Sequence, residues 1–317
     1  MNKAKPIYVI LMGGLGNQLF QVAAALSIAK ERPIYIDWKT ASPRLNGDGI
    51  PDIASFRLPS NIVFLDNSDP NLILRKSFGF LLRTGINDGS FQRRKILIVI
   101  LRFVGSILFS LRYRATIYVE ICQGLGFSSL SDGRLSRVLI GYFQSYIWTE
   151  TQSILENLKS IRSREFDIQF LKLKKDSDSE KPLVVHLRFG DYKHEPKFGL
   201  LSRQYYLESI NMALSKQEFC AIWVFSDDIE SARNVINFET SLPVRFIENI
   251  GDSTSTNFDA MRLGHGYVIA NSSFSWWAAR LSFSDPKIVV APEPWFIGLK
   301  DIPCLIPPSW HRLKGHY

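Results

Sequence analysis

One local order recurs along this chain and limits what it can fold into. A short, wholly apolar run enters a tight polar or glycine-rich loop, and a helical stretch follows. Residues 7–12 (IYVILM) run into Gly13-Gly14-Leu15-Gly16-Asn17-Gln18, residues 18–30 (QLFQVAAALSIAK) have helical period, and residues 34–36 (IYI) form the next strand. The order returns beyond residue 182, with strands at 183–187, 221–225, 244–247, 267–270 and 287–291 and a helix over 202–215. Strands without polar alternation are buried on both faces, and strand–helix–strand order makes the sheet parallel. An α/β fold in two halves is the expectation. With about 150 residues per domain, 317 residues make two domains.

Composition refines this. Residues 172–182 (KLKKDSDSEKP) read as a linker, so the predicted domains are 1–175 and 181–300, with a tail at 301–317. The net charge of +8 is local: residues 72–137 hold eleven basic and three acidic residues, and the rest of the chain balances at 27 of each. This segment, with QRRKILIVILRFVGSILFSLRYR at its centre, is expected to be a helical basic insert. Nucleic-acid binding favours exposed aromatics interleaved with the charge, whereas here the arginines stand among Leu, Ile, Val and Phe. That pattern suits a helix on an anionic membrane surface, and equally a helical subdomain with one buried face. Residues 96–111 carry Arg102 at their centre and are too short to span a bilayer. Cys122, Cys220 and Cys304 form no pair at metal or redox spacing, which fits a reducing compartment. The run at 7–12 is short for a signal peptide. The expected location is cytoplasmic, with peripheral contact at the inner face of the membrane as an option.

Four loops carry polar groups at strand ends, where open α/β sheets bind ligands. Gly14, Gly16, Asn17 and Gln18 shape a strand-to-helix turn able to approach a phosphate, although Leu19 stands where a dinucleotide fingerprint has its third glycine. His186 and Arg188 point to one side of an extended segment and make a fork for a diphosphate, with Asp191 returned to it beyond Gly190. Ser226, Asp227 and Asp228 follow the next strand, as helix caps or as acids for a ribose, a purine edge or a metal. Asn271, Ser272 and Ser273 open a helix and offer hydroxyls and amides to an anion, with Trp276 and Trp277 packed behind them.

Together GGLGNQLFQ (13–21), HLRFGDY (186–192), FSDD (225–228) and IANSSFSWWA (269–278) resemble glycosyltransferase family 11, the α-1,2-fucosyltransferases, in order and spacing. The resemblance implies a GT-B type fold, with two Rossmann-like domains facing a cleft and GDP-β-L-fucose bound mainly by the C-terminal half. It implies metal-independent, inverting transfer to the 2-hydroxyl of a galactose-terminated acceptor, soluble or lipid-linked as in an O-antigen unit, with no cofactor and no nucleic-acid partner. Arg188 matches the diphosphate arginine, with His186 beside it. Asp227 and Asp228 match the donor-domain acids, and residues 271–273 the phosphate-side loop. Asp191 and Glu195 are both candidates for the base. The family's second adjacent arginine is Phe189 here, so Arg188 serves alone or Lys193 or Arg203 compensates. The other readings are a membrane-surface or nucleic-acid binder using the basic segment, and a related transferase with another sugar nucleotide.

Overall fold

The computed structural model describes residues 5–40, 44–45, 49–65, 95–113, 116–122, 126–127, 130, 135–164, 168–248, 250, 253–298 and 300–316. The chain divides into two compact units, Met1–Ile161 with Pro303–Leu305, and Arg162–Ile302 with Ile306–Tyr317. Each is a Rossmann-like α/β unit, the pair expected of the GT-B type.

The first unit contains β1 (Ile7–Ile10), α1 (Leu15–Ala29), β2 (Ile34–Asp37), the two-residue β3 (Phe56–Arg57), β4 (Ile62–Phe64), α2 (Lys95–Tyr113), β5 (Ile117–Ile121), β6 (Ser136–Ile140) and α3 (Gln152–Lys159). Its sheet is parallel, in the order β4-β2-β1-β6-β5. All four residues of β1 are buried, which is why its sequence shows no polar alternation. α1 is buried along nearly its whole length, its alanines letting it lie close to the sheet.

The second unit contains β7 (Arg162–Ser163), α4 (Ile168–Glu180), β8 (Leu183–Leu187), α5 (Arg203–Lys216), β9 (Ile222–Ser226), α6 (Ile229–Val235), β10 (Val244–Phe246), α7 (Thr254–Met261), β11 (Gly266–Val268), α8 (Ser273–Arg280), β12 (Val289–Glu293) and β13 (His311–Lys314). The six-stranded parallel sheet runs β10-β9-β8-β11-β12-β13. Its core is built of Val185, Leu187, Val224, Val268 and Val290 under Tyr205, Tyr206 and Ile210 of α5.

Three sequence expectations are corrected. The stretch read as a linker is α4, because Phe170, Leu173 and Ser177 recur on one helical face and are buried, and Lys and Glu are good helix formers. Pro182 then limits the helix. The unit boundary accordingly falls at 161/162, before that helix. Of the basic segment, residues 72–94 lie outside the described residues, and the described part is helical in α2 but not throughout. IYVEI alternates, burying Ile117, Val119 and Ile121, and forms the edge strand β5, while SRVLI is β6 inside the sheet. The supposed tail supplies β13, which pairs with β12 from Val290↔His311 to Glu293↔Lys314.

Candidate active site

In the second sheet the strand order reverses between β8 and β11, the point where open α/β sheets leave a crevice at their carboxyl ends. Arg188 follows β8, Asn271 and Ser272 follow β11, and Asp227 follows β9, which pairs with β8 up to Leu187↔Ser226. Parallel register therefore delivers these side chains to one edge.

Arg188 is the centre of the cluster. Its Nε and Nη2 both donate to Asp191 Oδ1, and its Nη1 lies 3.0 Å from Asp227 Oδ2. Asp227 is fixed in turn, because its Oδ1 accepts from the Phe189 amide at 2.9 Å. Gly190 is required here: a Cβ on it would stand 2.5 Å from Asp227 Oδ2. The guanidinium is only partly covered and Asp191 is 60% exposed, so this pairing can be exchanged for an incoming anion. A bidentate fork suits phosphate oxygens better than a lysine ammonium does.

His186 lies behind the arginine and is buried. Burial, reinforced by the Arg188 charge, pushes its pKa down to about 3, so the ring is neutral near pH 7. Its Nδ1 is buried with no hydrogen-bond partner among the described residues. Tyr192 ties the two central loops together by donating to the Asn271 carbonyl at 2.8 Å, and burial raises its pKa. The Asn271 amide donates to the Phe198 and Gly199 carbonyls, so that side chain shapes the loop. Ser272 caps α8, its Oγ accepting from the Phe274 amide, and Ser273 is the first helical residue. Trp276 and Trp277 are buried and meet edge-to-face behind this loop, as expected.

The two adjacent aspartates divide their work. Asp228 caps α6, taking the Ser231 amide and hydroxyl, and pairs with Lys193 at 2.7 Å. The Lys193 hydrogen bond, followed by those from Ser231, holds its carboxyl well below the usual range. Ser226 exchanges hydrogen bonds with the Asp228 backbone. Asp227 and Asp228 thus face different cations and do not converge as a pair of metal ligands. Among the described residues no group of three or more His, Cys, Asp or Glu stands together in a metal-binding arrangement. The candidates for replacing the second arginine are both engaged elsewhere, Lys193 with Asp228 and Arg203 with the Asn237 carbonyl. Phe189 is itself buried in the core. Glu195 is half-buried at the end of the short turn that follows Arg188.

The glycine turn of the first unit also lies at a reversal, between β1 and β6, but its side chains are spent internally. Gln18 is fully buried; its Nε2 donates to the Gly13 and Arg44 carbonyls and its Oε1 accepts from the Ile53 amide. Asn17 Oδ1 accepts from Gln144 at 2.8 Å, joining the loops after β1 and β6. Gly14 is the N-cap of α1, and the Leu15 amide donates to Asp52. Gly16 is buried in the first turn.

Sequence reasoning missed the Tyr192 tie and the steric need for Gly190, although both residues stand within HLRFGDY. It also missed Asp52 and Gln144, which carry no local motif.

A model of glycosyl transferase family 11 matches residues 138–296, half of the chain. An α-1,2-colitosyltransferase of Escherichia coli is 29% identical over 325 residues, covering 96% of this chain and 97% of that protein. The O-antigen biosynthesis glycosyltransferase WbnK of Escherichia coli is 27% identical over 326 residues, covering 92% and 95%. Among solved structures, the fucosyltransferase NodZ from Bradyrhizobium aligns with a TM-score of 0.53 at 15% identity, covering 95% of this chain and all of that one. A NodZ α-1,6-fucosyltransferase crystal soaked with GDP-fucose gives 0.52 at the same identity. At such identity the likeness is one of fold.

Proposed function

The chain belongs to glycosyltransferase family 11, and from that premise we propose that it transfers L-fucose from GDP-β-L-fucose, with inversion, to the 2-hydroxyl of a terminal β-galactoside in a surface glycan such as an O-antigen unit. The observation that carries this is Arg188, partly exposed and held between Asp191 and Asp227 at the strand-order reversal where α8 also begins.

In the proposed reaction the acceptor hydroxyl attacks the anomeric carbon of fucose while the bond to the GDP β-phosphate oxygen breaks on the opposite face. The electron pair of that bond leaves on the diphosphate. Arg188 meets the growing negative charge once Asp191 turns towards water, and the α8 amides beside Ser272 and Ser273 add partial positive charge. The neutral His186 supports the arginine without adding a second charge. Asp227 and the loop of Asn271 hold the donor pocket in shape, and Asp228 and Ser226 brace its edge. The acceptor proton passes to a carboxylate. Asp191 and Glu195, both in the turn that follows Arg188, are the two proposed acceptors. The scheme uses no metal and no other cofactor. Gly14, Gly16, Asn17 and Gln18 act as scaffold for the first unit.

A second reading is supported by the likeness to a colitosyltransferase: the same α-1,2 transfer with a colitosyl donor. Turnover with fucosyl and colitosyl donors over a panel of β-galactosides separates the two. Arg188→Ala is expected to lower turnover of the preferred donor by about 100-fold, the usual scale for losing one charge-stabilising contact. Wild-type turnover is expected to survive EDTA. Near-wild-type activity of Arg188→Ala overturns the assignment.

A further inference from the structure

Helix α2 carries apolar residues on two sides: Leu101 and Phe109 enter the core of the first sheet, and a second apolar stripe faces outward. A helix on a globular protein ordinarily turns its apolar stripe inward and its polar face to water. Here the stripe of Arg102, Ser106 and Ser110 turns towards β5. Arg102 donates to the Ile121 carbonyl at 3.1 Å, Ser106 accepts from the Val119 amide at 3.1 Å, and Ser110 accepts from the Ile117 amide at 2.9 Å. These polar side chains satisfy the outer amides of the sheet's edge strand, which would otherwise be an open pairing site. Leu101, Gly105 and Phe109 fill the rest of the buried side.

The opposite side consists of Val99, Ile100, Phe103, Val104, Ile107, Leu108 and Leu111. All seven are apolar and exposed, Phe103 at 68% and Leu111 at 72%. They repeat every three or four residues, so they form one continuous stripe about 18 Å long at 1.5 Å per residue. A stripe of this kind, without one polar residue, marks a surface that meets an apolar phase.

The charge around it says which phase. Lys95 stands in the first turn and Arg112 in the last, Arg93, Arg94 and Arg114 adjoin the helix in sequence, and no acidic residue occurs between Asp88 and Glu120. A second copy of the chain docked on this stripe would bring like-charged ends together, whereas an anionic lipid surface complements both the stripe and its ends. No helix among the described residues is long and apolar enough to cross a membrane. We propose that α2 is a membrane-surface element, lying in the plane of an anionic bilayer with the Val99–Leu111 stripe among the upper acyl chains and its basic ends at the headgroups.

The test is vesicle flotation of the full chain. It is expected to float with vesicles containing phosphatidylglycerol, to float poorly with phosphatidylcholine alone, and to lose binding as salt rises. Phe103→Glu with Ile107→Glu changes only exposed positions. It is expected to cut binding by about tenfold or more while the melting temperature holds, and Lys95→Gln with Arg112→Gln to cut it by a few-fold. Should the glutamate variant fail to fold, Phe103→Trp replaces it. Its emission is expected to shift to the blue on phosphatidylglycerol vesicles, and no shift overturns the proposal. Failure to float with either lipid overturns it, as does equal flotation of the glutamate variant. A lipid-free dimer that dissociates in the glutamate variant assigns the stripe to self-association and overturns it too.

Discussion

Both sheets reverse their strand order, and in both the reversal is lined with polar residues from motif-bearing loops, yet the two places differ in what those residues do. In the first unit Gln18, Asn17 and Asp52 are consumed by neighbouring amides, carbonyls and Gln144. In the second, Arg188 is held by Asp227 and by the mostly exposed Asp191, and behind it lies an imidazole nitrogen with no hydrogen-bond partner among the described residues. Polar atoms with buried partners on all sides build a scaffold, because exchanging them for a ligand costs as much as it returns. A charged group whose counter-ions can move into water is free to change partners. Similar motif density along the sequence thus marks a rigid turn in one unit and a proposed binding site in the other.

The largest effect expected to sharpen this contrast lies in the second unit. Gly190→Ala forces its new methyl group against Asp227 Oδ2 and should displace the clamp on Arg188. GDP affinity and turnover should each fall by about tenfold with the melting temperature little changed, since a misplaced catalytic group is costly well before the fold is. Calorimetric titration with GDP beside a melting curve checks it. Unchanged affinity would break the assignment of the clamp.

His186 makes the same unit sensitive to acid. In the folded chain its pKa is pushed to about 3, against an ordinary value of 6.5, so the unfolded chain takes up a proton that the folded chain refuses. Stability from the neutral ring is complete above about pH 6.5 and is lost as pH falls towards 3, at about 1.4 kcal/mol per pH unit. Urea titrations of His186→Asn and the wild type should differ in slope by one proton across that window. Parallel slopes would mean that the ring is not the buried neutral group described.

Gln18→Ala probes the other side of the comparison. It leaves the Ile53 amide and the Arg44 carbonyl without the Gln18 side chain, while the Gly13 carbonyl keeps the Arg44 amide, a loss of about 1–3 kcal/mol. The melting temperature should drop by several degrees, with the KM for the sugar nucleotide unchanged. A raised KM with an unmoved melting temperature would turn the glycine turn into a binding site after all.

Much of the fold was legible because buried parallel strands leave unbroken apolar runs. Residues 7–10, 183–187 and 222–225 needed no tertiary information, and neither did the Ser and Asn helix start after β11. What failed was reading charge as exposure without structure. KLKKDSDSE looks like a linker, yet Phe170, Leu173 and Ser177 supply enough of a buried face to make α4. IYVEI stands among arginines in a segment expected to be helical, although its alternation is that of an edge strand.

The sequence by itself determined the family, the α/β rhythm and the loops that hold polar groups, since each depends on residues within a few positions of one another. Only the tertiary structure decided which of those groups remain available. Phe189 meets Asp227 across 38 positions, Tyr192 meets Asn271 across 79 and Gln18 meets Ile53 across 35. It also decided which side of α2 turns outward, because that depends on the edge strand whose amides its serines satisfy. A side chain's partner is chosen by packing, and packing brings together what the sequence keeps apart.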